Sequence, residues 1–152
     1  MDMNKMHFVE TDGDVRANIR KLTDEIREKP IDVALIGVGE NTHIAFNDPP
    51  ANFDTKEAYI IVNLDIGCKQ QQVREGWFSS IKEVPSQAVT MTPYQIMQSK
   101  TIVSCVPFIS KANAVKRFMY SELTNQVPAT LLKTHSDFTL FLDKDSASLL
   151  EA

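Results

Sequence analysis

Apolar positions along the chain follow two different rhythms. In residues 14–28, Val15, Ile19, Leu22 and Ile26 recur at helical spacing with charged residues between them. That spacing predicts an amphipathic helix, started by Asp12 or Asp14 and stopped before Pro30. The rhythm then changes to short, nearly uninterrupted apolar runs. "IDVALIGV" from residue 31 and "AYIIVNL" over 58–64 both predict strands covered on two faces, as in a parallel α/β sheet. Between later runs, "CKQQQVREGWF" is polar and helical, broken at Gly76. "AVTMT" (88–92) is a strand that hands over to a helix start, where Thr92, Pro93 and Gln95 form a capping box with proline at the first helical position. "TIVSCVPF" (101–108) is another strand. Ser110 is expected to cap a helix whose apolar face carries Ala112, Val115, Phe118 and Met119. "FTLFLD" (138–143) is the last strand, and "KDSASLLEA" a short terminal helix or tail.

Strands alternating with helices predict a three-layer α/β/α domain with a mostly parallel, Rossmann-like sheet, occupying the whole chain as one unit. Ligands in such sheets bind beyond the carboxyl ends of the strands. Two stretches lie at such ends: "LIGVGENTHIAFNDPP" from residue 35 and "VPFISKANA" from residue 106.

Composition narrows the function. A net charge of −4 and the lack of any Lys/Arg run argue against a nucleic-acid surface. No apolar stretch approaches the roughly 18 residues of a membrane helix, and "MDMNKMHFVE" lacks the apolar region of a secretory signal. Cys68 and Cys105 lie far apart, outside any metal-ligand spacing, and are read as reduced thiols. No set of His, Cys and acidic residues has zinc-like spacing, and neither a nucleophile elbow nor a phosphate loop of the G-x-x-x-x-G-K-[ST] type occurs. The expectation is a soluble, cytoplasmic domain.

Candidate chemistry gathers where the first strand ends. Gly37 and Gly39 let the backbone turn tightly and bring N–H groups close to a ligand. His43 can give or take a proton near neutral pH. Asn41 precedes it by two residues and Asp48 follows by five; a carboxylate near an imidazole orients it and stabilises its charged form. The prolines of "NDPP" force extended geometry and hold Asn47 and Asp48 on a stiff loop. Lys111, at the start of a helix, can strengthen the anion attraction of that helix terminus. His7 and His135 have no evident chemical neighbours. Trp77 and Phe78 read as core or lid packing, and Lys69 and Arg74 as a solvated face.

"GVGENTHIAFNDPP" resembles the signature of the glucosamine-6-phosphate deaminase/isomerase family, G-x-G-x-[DN]-G-H-I-A-F-N-[ED]-P, over about ten consecutive positions. "VPSQAVTMT", "ISKANAV" and "LFLDKDSASLL" are similar to their family counterparts. The related 6-phosphogluconolactonases share the G-x-G and the histidine but continue differently. The resemblance implies conversion of an amino-sugar 6-phosphate, of glucosamine or galactosamine, to a ketose 6-phosphate and ammonia, with no metal or cofactor. It implies that His43 assists ring opening, that Asp48 and Asn41 are the flanking positions that tune it, and that Lys111 holds the substrate phosphate. Gly37, Gly39, Thr42 and Asn47 complete the substrate-binding set. Asn41 stands where many members have aspartate, and Thr42 where they have glycine. The chain is expected to be the C-terminal portion of the family domain, lacking the half with the phosphate loop and the aspartate that moves a proton between C2 and C1. The expected partners are a phosphorylated amino sugar and further copies of the chain. A non-catalytic phosphosugar-binding or oligomerising remnant is the alternative, and a lactonase-type hydrolase a weaker one.

Overall fold

The computed structural model describes residues 6–151. The segment read as lacking a signal, and the end of the expected terminal helix, lie partly outside them. Helix α1 (Val15–Arg27) starts at Asp14, whose side chain accepts from the Ala17 backbone N–H at 3.0 Å. Strand β1 (Val33–Leu35) follows, then a long loop carrying the glycines and His43. Beyond it come β2 (Tyr59–Asn63), α2 (Ile66–Arg74), β3 (Gln87–Met91), the one-turn helix α3 (Pro93–Ile96) and β4 (Thr101–Val106). A 3-10 turn (Ile109–Lys111) leads into α4 (Ala112–Tyr120), and a 3-10 stretch (Pro128–Thr134) into β5 (Phe138–Leu142).

β1, β4 and β5 form a parallel sheet in the order β1-β4-β5, the expected α/β arrangement. β2 does not join it: β2 and β3 pair antiparallel as a separate ribbon, with Tyr59 opposite Met91 and Asn63 opposite Gln87. The reading of β2 as a second parallel strand is corrected here. Only Tyr59 of β2 is buried, where α1 packs Ile19, Leu22 and Ile26 against the ribbon with Val89 and Met91 of β3.

Register fixes which side chains share a face. Ala34 lies opposite Ile102, Ile102 opposite Phe138, and Val106 opposite Leu142. These residues meet Ile44, Ile96, Val115, Phe118, Ala129 and Leu132 in the main core. The other face carries Val33, Leu35, Val103, Cys105, Thr139 and Phe141, and among the described residues nothing covers it. Leu35 is 78% exposed, Phe141 57% and Val33 54%. The expectation that β1 is covered on both faces is therefore met on one.

Two helix starts differ from expectation. Ser110 does not cap α4: it sits inside the 3-10 turn, and no side chain caps either that turn or the helix. Phe108 enters the turn at φ +80°, its N–H held by Asp143 Oδ2 at 2.9 Å. On α4 the buried face is Ala112, Ala114, Val115 and Phe118, while Met119 is exposed. At α3, Thr92 does cap, accepting from the Gln95 N–H at 3.1 Å. Gly76, at φ +80°, ends α2 in a Schellman motif in which the Trp77 N–H reaches the Gln72 carbonyl and the Gly76 N–H that of Val73. Among the described residues no helix is long and apolar enough to cross a membrane.

Candidate active site

The loop after β1 is built from two consecutive tight turns. In the first, the Gly39 N–H donates to the His43 carbonyl and the Thr42 N–H to the Gly39 carbonyl, each at 2.9 Å, beside a bridge between Val38 and Ile44. This is a three-residue hairpin loop, a type I turn followed by one residue in left-handed conformation. Thr42 is that residue, at φ +76°, where glycine is the unstrained choice. Its side chain is fully buried and its hydroxyl has no hydrogen-bond partner. The second turn runs from Ile44 to Asn47, with Ala45 at φ +49°.

Asn47 anchors the loop rather than facing a ligand. Its amide donates to the Ile44 and Met91 carbonyls, both at 2.8 Å, and to Thr90 Oγ1 at 3.3 Å. Thr90 also accepts from the Phe46 N–H at 3.0 Å, tying the loop to β3. Of the residues expected to touch substrate, Asn47 and Thr42 are thus enclosed within the protein.

The loop brings His43, Asn41 and Asp48 together. His43 Nδ1 lies 3.1 Å from Asp48 Oδ1, with both side chains nearly buried. The pair is close enough for strong charge interaction, yet Nδ1 lacks the alignment of a directed hydrogen bond. Asn41 makes no hydrogen bond to the ring. Its amide donates to Asp48 Oδ1 at 2.9 Å, and its carbonyl oxygen accepts from the His43 backbone N–H at 3.0 Å. Burial pushes the Asp48 carboxyl up, but the close approach of His43 and the hydrogen bond from the Asn41 amide outweigh it and hold the carboxyl below its usual value. The asparagine therefore acts on the carboxylate, and only through the backbone on the histidine.

Gly39 lies against the imidazole. A Cβ there would stand 2.3 Å from both Cε1 and Nε2 of His43, so only glycine allows the ring to lie over the turn. At Gly37 a Cβ would meet nothing within 4 Å; it would point into open space. That space is a cleft of about 310 Å³ lined by Gly37, Gly39, His43, Phe46, Gln71 and Lys111 among others. A second cleft of about 640 Å³ shares Gly37 and Lys111 and extends past Arg74, Trp77 and Phe108. Among the described residues no carboxylate pairs with Lys111, whereas Arg74 is paired with Glu40. Trp77 is 71% exposed at the cleft and belongs to no core.

Helix α2 contributes residues that local sequence reading missed. Gln71 accepts from the Glu40 N–H at 3.3 Å and donates to Glu75 at 2.7 Å, lining the His43 cleft. Asp65 caps the helix by accepting from the Cys68 N–H at 2.7 Å; an aspartate ahead of "IGCKQQQ" was the available signal. Cys68 is 1% exposed, and its ligand atom and those of His43 and Asp48 lie within 4.8 Å of one another. Sequence spacing could not show this group, because Cys68 comes from another element. Burial and the nearby Asp48, Asp65 and Glu75 push its thiol up to about 12. The other histidines are structural or peripheral. His135 Nε2 faces the Ser99 carbonyl at 2.9 Å while Nδ1 accepts from the Asp137 N–H, and His7 pairs with Glu25 on the surface.

Comparison with known proteins gives this geometry a family. A glucosamine-6-phosphate deaminase of Oenococcus oeni is 39% identical over 137 residues, covering 90% of this chain and 56% of that protein. The solved structure of a monomeric glucosamine-6-phosphate deaminase superposes with a TM-score of 0.86 at 32% identity, covering 93% of this chain and 58% of the other. A 6-phosphogluconolactonase of Thermotoga maritima shares the fold at a TM-score of 0.70 and 16% identity, over 93% of this chain and 57% of the other. The chain thus spans a little over half the length of these relatives. Residues 1–141 match the family of glucosamine-6-phosphate isomerases and 6-phosphogluconolactonases, and the chain belongs to that family.

Proposed function

We propose that the chain supplies the ring-opening and phosphate-holding part of an amino-sugar phosphate deaminase/isomerase. The observation that carries this is the His43–Asp48–Asn41 chain, held over Gly39 at the mouth of a cleft that also contains an unpaired lysine. A sugar 6-phosphate has the matching chemistry: a dianion for Lys111, which lines the same cleft as Gly37, and a hydroxyl-bearing ring for His43. The imidazole face away from Asp48 exchanges a proton with the ring oxygen as the sugar opens, and the Asp48 carboxylate stabilises the imidazolium at the charged stage. Asn41 keeps that carboxylate in place. Transfer of a proton from C2 to C1 then gives an imine, and water releases ammonia and leaves the ketose. The base for that transfer is assigned to polypeptide outside this chain, on family resemblance. Further copies of the chain as partners, and a cytoplasmic setting, belong to the same proposal; both cysteines are free, which suits a reducing compartment.

The test is ammonia release from glucosamine 6-phosphate and from galactosamine 6-phosphate, with His43→Ala as control and sugar-phosphate binding measured alongside. Turnover lost in His43→Ala supports the assignment; loss of a positioned acid/base costs about 10²–10⁴-fold. Binding that depends on Lys111, without turnover, means this chain recognises the sugar phosphate and the chemistry needs more polypeptide. Neither binding nor turnover overturns the reading.

A further inference from the structure

We propose that His43, Asp48 and Cys68 form a binding site for a thiophilic divalent cation of the zinc class. Three observations converge on it. The three ligand atoms lie within 4.8 Å of one another, drawn from the His43 loop and the first turn of α2. His43 Nδ1 and Asp48 Oδ2 are both buried and without hydrogen-bond partners, so the pocket holds unspent donor capacity. Finally, the 3.1 Å between Nδ1 and Asp48 Oδ1 is poorly aligned for a hydrogen bond but close to the bite a metal needs. With Zn–N and Zn–O bonds of about 2.0–2.2 Å, tetrahedral ligands stand roughly 3.3 Å apart.

Cys68 completes the set. A thiolate bound to zinc stands roughly 3.6 Å from the N and O ligands, so from a separation within 4.8 Å the sulfur closes by at most about 1.2 Å, within reach of a side-chain adjustment. Thiolate, imidazole and carboxylate together select zinc-like ions over Mg²⁺ or Ca²⁺, which prefer all-oxygen shells. The carboxylates of Asp48, Asp65 and Glu75 around the sulfur favour a cation at the site, and a metal takes a cysteine as thiolate. Binding therefore exchanges one proton for the metal: the S–H bond breaks, an S–M bond forms, and the proton leaves to solvent. Three protein ligands leave a fourth position open.

Cation binding here does not depend on the deaminase reading. Its consequence does: a metal on Nδ1 and Asp48 removes the carboxylate support from His43, so the cation is an inhibitor of the proposed proton transfer.

Cobalt(II) serves as a spectroscopic probe for zinc, titrated into the full chain without substrate in a Cys105→Ser background, which removes the exposed thiol. The expected result is one equivalent of Co²⁺ with a thiolate-to-cobalt charge-transfer band in the near ultraviolet. Adding Cys68→Ser abolishes the band and weakens binding by at least about tenfold, since even outer-shell partners are worth about 10–100-fold in metal affinity. A second measurement needs no substitution at the site: in the unsubstituted protein, the imidazole nitrogen resonances of His43 shift on addition of Zn²⁺. Absence of the band in the Cys105→Ser protein, persistence of the band after Cys68→Ser, or unmoved His43 resonances each overturns the proposal. Because no readout uses turnover, a chain that binds cobalt through Cys68 but neither binds nor turns over the sugar phosphate refutes the deaminase reading alone.

Discussion

At Gly39 a single methyl group would occupy space that the His43 ring already fills, with a Cβ 2.3 Å from two ring atoms. Gly39→Ala must push the imidazole off the turn or distort the hairpin, and overpacking of this kind costs about 1–3 kcal/mol. The expected outcome is a lower melting temperature together with loss of any His43-dependent activity, read by thermal denaturation and ammonia assay. Thr42 poses the opposite problem. A non-glycine residue at φ +76° costs about 1–3 kcal/mol, and a buried, unpartnered hydroxyl adds about 1–3 kcal/mol. Thr42→Gly removes both, against about 0.5–1 kcal/mol of backbone entropy and about 1 kcal/mol for a buried methyl group. We expect a net gain of about 2 kcal/mol in chemical denaturation; a loss would mean the threonine packs better than its conformation suggests. Asp48 sets a pH dependence. Its folded carboxyl titrates below the usual 3.8, so its contribution is complete above that value. As pH falls below 3.8 the unfolded chain takes the proton first, and the contribution fades as pH drops through the folded value. Melting temperatures of wild type and Asp48→Asn should therefore converge in acid below about pH 4, while other carboxylates titrate alike in both proteins. A constant gap between the two curves would mean that Asp48 is not held ionised by its neighbours.

Among the elements, α1 was fully legible, because four apolar residues at one helical spacing and an Asp14 cap are local signals. So was the loop chemistry: Asn41, His43 and Asp48 sit within eight positions, and turn geometry alone folds them onto one another. β2 was not, since "AYIIVNL" has the composition of a buried parallel strand, and only its pairing with β3 decides otherwise. Ser110 failed as a cap for a similar reason. Phe108, held by Asp143 from beyond β5, sends the chain into a 3-10 turn first, and no window around residue 110 contains Asp143. The same limit hid Cys68. Its neighbours in sequence are polar helix residues, while its neighbours in space are His43 and Asp48. Residues that act through one turn can be read from sequence; those that meet across elements require the fold.

On the scale of the molecule, the parallel sheet is covered on one side only. Val33, Leu35, Cys105 and Phe141 form an apolar patch across three strands, and β1 and β5 each keep one unpaired edge among the described residues. Burying one large apolar side chain is worth about 1.5–3 kcal/mol, so three such side chains left in water are a standing drive to association. Open strand edges add unpaired N–H and C=O groups that a second sheet could satisfy. The expected outcome is that this chain, alone in solution, associates with rising concentration, seen as a sedimentation coefficient that climbs across the micromolar range. Leu35→Lys combined with Phe141→Lys places two charges on the patch without touching the main core on the opposite face. That variant should sediment as a monomer and keep the melting behaviour of the dilute parent. If it associates as the parent does, the contact lies elsewhere and the bare sheet face is tolerated in water. If it is monomeric but unfolded, the face carries more of the fold than its exposure implies. A folded monomer would establish that the patch, rather than the cleft around His43, is what draws copies of the chain together.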